Sequence, residues 1–237
     1  MEVKILGTGS IYSKRNCASI IIDKKILFDV GPGILKQLLN EKYDLSQIDT
    51  ILISHLHSDH ILDFAPLIVN LNVLNIKHKI KIIGPLYLKQ KLTDFLNLMY
   101  GNYYNEFIDT YLEFIEIKDE EYELYLGNYK INMIKVNHYD IEAYGFVINN
   151  KLGLTGDSSM CDGIKNIYNN CKIMIADCSV LIGDIYHLGF NNIKKLLESS
   201  IEKTIIATHL RDDTRNSLKN SKINNFKLVE DGYEFKL

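Results

Sequence analysis

No apolar run in this 237-residue chain approaches the roughly 18 residues that would mark a membrane span. The first residues, Met1 to Gly7, read as a strand. They do not form a charged segment followed by a long apolar one, so no signal peptide is expected. The four cysteines, Cys17, Cys161, Cys171 and Cys178, include no C-x-x-C pair, which leaves them as reduced core or loop thiols and implies a cytoplasmic setting. There is no excess of positive charge. The formal net charge is −3, so nothing in the composition demands a nucleic-acid partner, and such a substrate would need a local basic patch. No linker or low-complexity segment divides the chain, so residues 1–237 are expected to form one domain.

What is present is a hydrophobic content of 46%, ample for a buried core, arranged in short runs. Strands are predicted over Val3–Leu6, Ala18–Ile22, Ile26–Asp29, Thr50–Ile53, Ile80–Ile83, Leu112–Ile117, Glu123–Leu126 and Tyr129–Val136. Tyr144–Ile148 and Leu152–Thr155 read as a hairpin turning at Asn149-Asn150-Lys151. Ile173–Asp177, Thr204–Ala207, Phe226–Val229 and Tyr233–Lys236 complete the strands. Helices are predicted over Ile34–Asn40, Phe64–Asn75, Leu86–Tyr100 and Ile164–Tyr168. Another is predicted over Asn191–Ser199, capped by Asn191 or Asn192. Gly101–Thr110, with Tyr103, Tyr104 and Phe107 among polar residues, reads as a packed loop, or else as a segment covering substrate or contacting a second subunit. Strand runs followed by helices occur twice, which fits two sheets with helices outside.

The chemistry concentrates in His55-Leu56-His57-Ser58-Asp59-His60, directly after the apolar run Ile51-Leu52-Ile53. Imidazole nitrogens and carboxylate oxygens suit Zn²⁺ and its first-row neighbours. A strand that ends in such a cluster presents it at the rim of a sheet. His138, Asp157 and His209 likewise follow apolar strand patterns, and Gly156 lets the chain turn sharply before Asp157. A bridging carboxylate is the usual partner of two cations about 3.5–4 Å apart.

This order of motifs, with Asp29 in Leu27-Phe28-Asp29-Val30-Gly31-Pro32-Gly33, resembles the metallo-β-lactamase superfamily over nearly the full chain. The resemblance implies an α/β, four-layer αβ/βα sandwich of two mixed sheets flanked by helices. It implies one metal held by His55, His57 and His138 and a second held by Asp59, His60 and His209, with Asp157 bridging. Two Zn²⁺ are the expected ions, with Mn²⁺ as the alternative. Asp29 then orients ligands rather than binding metal.

Two cations with open positions activate water, polarise a substrate oxygen and stabilise developing charge, which is the chemistry of hydrolysis. Asp59 therefore counts among the catalytic groups as well as the ligands. Asp177 ends a strand and His187 follows ten residues later. A carboxylate beside a histidine keeps it protonated, so that it can donate to a leaving oxygen. This layout resembles the ribonuclease Z branch, although here Asp stands for the usual Glu and Leu188-Gly189 for the usual Ser-Thr. The loop Gly7-Thr8-Gly9-Ser10, followed by Ser13-Lys14-Arg15-Asn16, reads either as an anion-binding loop or as a turn with solvated cations. In the first case Ser10, Lys14, Arg15 and Asn16 would meet a phosphate.

Only 18 residues lie between His138 and Asp157. Typical bacterial ribonuclease Z carries its long transfer-RNA-binding arm in this interval, and this chain has no room for one. The expected function is a dinuclear metal-dependent phosphodiesterase acting on small nucleotides, cyclic nucleotides among them, or on RNA 3′ ends, with His187 as general acid. The alternatives are a transfer-RNA 3′-processing endonuclease, or a lactonase or thioesterase in which Tyr139 or Tyr144 stabilises an oxyanion. A homodimer is expected by resemblance to family members.

Overall fold

A computed structural model describes residues 1–200 and 202–237. The first half contains β1 (Glu2–Gly7), β2 (Ser19–Ile22), β3 (Ile26–Phe28), α1 (Ile34–Asn40), β4 (Thr50–Leu52), α2 (Ser58–Ile61), α3 (Phe64–Val73), β5 (Ile80–Pro85), α4 (Leu88–Tyr100), α5 (Asn105–Tyr111) and β6 (Leu112–Ile117). The second contains β7 (Glu121–Leu126), β8 (Tyr129–His138), β9 (Ile141–Ile148), β10 (Leu152–Leu154), α6 (Asp162–Asn169), β11 (Ile173–Asp177), α7 (Phe190–Ser199), β12 (Thr204–Thr208), α8 (Asp212–Leu218), β13 (Phe226–Leu228) and β14 (Glu234–Lys236). They build two seven-stranded mixed sheets, ordered β14-β1-β2-β3-β4-β5-β6 and β13-β12-β11-β10-β9-β8-β7.

The apolar patterns explain the layering. In β2, Ile20 and Ile22 face the core between the sheets, where Phe28, Leu52, Phe146 and Leu154 also lie. Ile21, pointing the other way, joins the core beneath α1, α3 and α4. A strand buried on both faces needs a continuous apolar run, and Ile20-Ile21-Ile22 supplies one. A third cluster, with Ile164, Met174, Ile193 and Ile205, packs α6 and α7 on the outside of the second sheet. The result is the four-layer αβ/βα sandwich expected from the sequence.

Three local expectations are corrected. Gly101–Thr110 is not an irregular loop: a 3₁₀ turn over Gly101–Tyr104 leads into α5. Tyr104, Phe107 and Ile108, at helical spacing, are buried under the first sheet, so packing fixes this segment and it does not cover the candidate site. The helix α7 starts at Phe190, with Gly189 as its N-cap; Asn192 acts from inside the helix, its side-chain oxygen accepting from the Gly189 N–H at 3.0 Å. The short helices α2 and α8, both beside the site, were missed because each is under three turns and polar.

The hairpin expectation holds. β9 and β10 pair antiparallel, and Asn149 and Asn150, with φ of 53° and 51°, make the left-handed turn that such hairpins favour. This hairpin fills the interval between His138 and Asp157, with β9 starting at Ile141 instead of Tyr144.

The C-terminal segment braces the first loop. Arg215, only 2% exposed, donates to the Val229 carbonyl at 2.7 Å and to Thr8 Oγ1 at 2.7 Å, while Thr8 donates to Asp231. Truncating such a guanidinium leaves buried acceptors without donors. Arg215→Met is therefore expected to lower stability by about 2–4 kcal/mol in urea unfolding, and an unchanged midpoint would contradict the brace.

Candidate functional site

The ends of β4, β8, β10, β11 and β12 converge on one edge of the sandwich, where a rigid scaffold places loop side chains. After β4 the chain runs through Ser54, His55 and His57 into α2, whose first turn carries Asp59 and His60. His138 is the last residue of β8. Asp157 follows Gly156, whose φ of +59° and close approach to the Ser54 side chain leave no room for a Cβ. His209 follows β12 with φ at 53°, a left-handed conformation that aims its ring into the site.

Two donor groups result. His55, His57 and His138 converge, with His55 Nε2 3.0 Å and His138 Nε2 3.2 Å from His57 Nδ1. Asp59, His60, Asp157 and His209 form the other group. Asp157 Oδ2 lies 3.4 Å from His60 Nε2 and 3.3 Å from His209 Nε2, and 4.0 Å from both His55 Nε2 and His138 Nε2. One carboxylate oxygen thus faces both groups.

The far side of each ring is tied down. His60 Nδ1 donates to Asp29 Oδ2 at 2.7 Å, and His138 Nδ1 donates to the Tyr186 carbonyl at 2.7 Å. His55 Nδ1 lies 3.0 Å from Ser54 Oγ, which itself donates to Asp29; His209 Nδ1 lies 2.7 Å from Ser179 Oγ. With Nδ1 as the donor, each of these rings turns the lone pair of Nε2 into the site, which is how ligating histidines are oriented. Asp29, with φ at 53°, also takes the Ser54 N–H, so it anchors the ligand loop as its family position implied.

The residues fit a divalent metal. His60 Nε2 and Asp157 Oδ1 are buried without a hydrogen-bond partner, and a bound cation would satisfy both together with the converging imidazole nitrogens. Without a cation, burial opposes charge on His209, yet Asp157, Asp177 and Asp59 raise its pKa to about 10. Burial likewise opposes charge on His60, and Asp157 and Asp29 raise it well above the usual range. His55, by contrast, is driven well below its usual value by burial and by the neighbouring imidazoles. A metal must displace the protons held on His60 and His209. Apparent affinity should therefore fall steadily as pH is lowered through neutrality. In calorimetric titrations with Zn²⁺, the heat should vary with the buffer's ionisation enthalpy; a buffer-independent heat would show that no protons are released.

Beside these groups, His187 Nδ1 bonds Asp177 Oδ2 at 2.9 Å, and the His187 ring stacks on His209 with centroids 5.3 Å apart. Burial opposes charge on His187, but the Asp177 bond and field raise its pKa; burial likewise opposes charge on Asp177, yet His187 and His209 hold it well below the usual carboxylate range. A cavity of about 190 Å³ opens onto His57, Asp59, His138, Asp157, His187 and His209.

A family profile described as "Anti-Pycsar protein Apyc1" matches residues 1–235. The chain belongs to this Apyc1 family. Ribonuclease Z of Thermococcus onnurineus is 35% identical over 156 residues, covering 64% of this chain and 48% of the relative. The chain spans about half the length of the curated relatives it matches. Among solved structures, human tRNase Z, short form, has a TM-score of 0.79 at 18% identity, covering 100% of this chain and 99% of the other. The metallo-β-lactamase fold protein YhfI from Bacillus subtilis has a TM-score of 0.77 at 20% identity, covering 99% and 98%. This Apyc1-family chain therefore has the metallo-β-lactamase fold.

All seven histidine and aspartate ligands expected from the sequence meet in this site, as do Asp177 and His187. The anticipated phosphate loop divides. Ser10 lines the cavity, but Lys14, Arg15 and Asn16 do not. Arg15 is held by Glu230 at 2.6 Å, the Lys14 N–H points to Asp212, and Asn16 bonds Asp231, the Leu6 carbonyl and Gln37. Those acidic partners come from the far end of the chain, which sequence spacing could not reveal. Tyr144 is fully buried with its hydroxyl on the Ile117 carbonyl, so it cannot meet an oxyanion. Tyr139 is exposed and packs against Tyr186 at the rim. Sequence reading missed Ser54 and Ser179, whose signal was their place beside or opposite a ligand, and Arg211, two residues past His209.

Proposed function

We propose that this protein is a metal-dependent hydrolase whose two donor groups hold two divalent ions, Zn²⁺ or Mn²⁺, bridged by Asp157, and that it cleaves phosphodiesters in small nucleotides. The observation that carries the reading is His187. It sits in the cavity wall, bonds Asp177, whose charge favours the protonated ring, and neighbours the candidate ligand His209. An ester of a carboxylic acid does not require such a proton donor as strongly as an alkoxide leaving a phosphodiester does. The bound ions would supply a nucleophile from water and neutralise the phosphate. His187 would give its proton to the leaving oxygen, with Asp177 holding the ring and its charge. Ser10, which lines the same cavity, would offer a hydroxyl to the substrate.

Size favours a small substrate. The cavity, at about 190 Å³, is below the usual 300–1,000 Å³ of ligand pockets, so it suits a phosphate and its sugar, with a base resting on the rim. Tyr12, Tyr139 and Tyr186 are exposed around that rim and offer ring faces to a base. The ribonuclease Z relatives favour a second reading, an RNA 3′-processing endonuclease. The short hairpin between His138 and Asp157 and the net charge of −3 weigh against it. Cyclic mononucleotides and precursor transfer RNA offered to the same Zn- or Mn-loaded protein separate the two. Turnover of cyclic mononucleotides is expected, and efficient 3′ cleavage of the transfer RNA with no such turnover would reverse the choice.

A further inference from the structure

The chain's three arginines, Arg15, Arg211 and Arg215, all lie near the site edge, but only one of them faces the cavity. Arg15 is paired with Glu230 and Asp212. Arg215 is buried on the Val229 carbonyl, Thr8 and Glu230. Arg211 has no carboxylate within ion-pair distance and its guanidinium makes no hydrogen bond among the described residues. The acids that follow it in sequence are already committed: Asp212 to Ser13 and Arg15, and Asp213 to the Thr214 N–H. What holds Arg211 is the ring of Tyr12, with the guanidinium carbon 5.3 Å from its centroid. Both residues line the cavity that contains the candidate ligands and His187.

This arrangement leaves guanidinium donors beside the cavity for an anion to complete. The candidate ligands include two carboxylates, Asp59 and Asp157, so two divalent ions held there would leave positive charge beside the unpaired guanidinium, and an anion between them would be favoured. The Tyr12 face fixes the guanidinium without neutralising it, leaving its N–H donors free for a ligand.

We propose that Arg211, shelved on Tyr12, is the phosphate-recognition residue of the cavity, donating to a non-bridging oxygen of the substrate phosphodiester. The proposal rests on the phosphodiesterase reading above. It explains why the cavity needs no phosphate contact from Lys14 or Arg15, and it makes the site select anionic over neutral esters.

The test uses the Zn- or Mn-loaded full chain carrying Arg211→Gln, Arg211→Lys or Tyr12→Ala. The kinetics are read with bis(p-nitrophenyl) phosphate, and the affinity for inorganic phosphate is read by calorimetry. In Arg211→Gln, KM and the phosphate dissociation constant should both rise roughly 10- to 100-fold, with kcat changed by less than about threefold and metal content unchanged. Arg211→Lys should recover part of the loss and Tyr12→Ala should reproduce part of it. Wild-type turnover with an unchanged KM and phosphate affinity in Arg211→Gln would overturn the role of Arg211 alone. A fall in metal content would overturn it in favour of a structural role. Absence of phosphodiester turnover by the wild type, even with phosphate bound, would overturn the phosphodiesterase reading and with it the substrate assigned to Arg211.

Discussion

Asp157→Ala is expected to lose at least one of the two metal ions proposed above and to lower phosphodiester turnover by ~10³-fold or more, because a two-ion clamp would supply several kcal/mol of transition-state stabilisation. The reason is positional. Its Oδ2 is within 4.0 Å of a nitrogen from His55, His138, His60 and His209, so this one atom reaches both donor groups. Removing it also takes away the carboxylate oxygen that faces His60 Nε2 at 3.4 Å and His209 Nε2 at 3.3 Å. Asp157→Asn separates charge from shape. It keeps the volume, but an amide is a far weaker ligand, so metal loss should follow there too. Metal analysis by mass spectrometry after dialysis checks this directly. Two fully retained ions in both variants would rule out a bridging role.

His187→Ala should give the second large effect, a fall in kcat of about 10²–10⁴-fold with both ions retained, the range expected for removal of a general acid. The retention follows from geometry. The two donor groups are complete without His187, whose Nδ1 is turned to Asp177 at 2.9 Å. The same side chains do allow a different outcome. Asp157, Asp177, His187 and His209 also place ligand atoms close enough to share an ion. Metal content therefore decides the role. A drop in bound metal would make His187 a ligand, while unchanged metal with unchanged kcat would make it a wall residue. The leaving group refines the test, since a nitrophenolate needs little protonation. The loss should be smaller on bis(p-nitrophenyl) phosphate than on an alkyl phosphodiester such as a cyclic nucleotide.

The convergence of the candidate ligands was legible in the sequence because each group of them follows an apolar strand pattern, and strand ends on a sandwich share an edge. His55, His57, Asp59 and His60 announce themselves by density alone. His138, Asp157 and His209 needed the strand patterns before them. The long-range partners were not legible. Nothing in the spacing of Lys14, Arg15 and Asn16 foretells Glu230, Asp212 or Asp231, which arrive only when β14 and α8 fold back on the first loop. A cluster of cations near a glycine loop thus proved to be a brace, while Arg211, which makes no ion pair among the described residues, carried no motif that singled it out. Helix α5 was hidden for a different reason. Tyr104, Phe107 and Ile108 have helical spacing, but the glycine and asparagines before them read as a loop.

The most direct measurement is the rate of bis(p-nitrophenyl) phosphate hydrolysis by the metal-loaded protein, set beside a nitrophenyl ester and a homoserine lactone and repeated after chelation. Hydrolysis of the phosphodiester alone, abolished by the chelator and restored by Zn²⁺ or Mn²⁺, is the predicted result. Hydrolysis of the ester or lactone with none of the phosphodiester would contradict the account and leave His187 and Arg211 without the roles assigned to them.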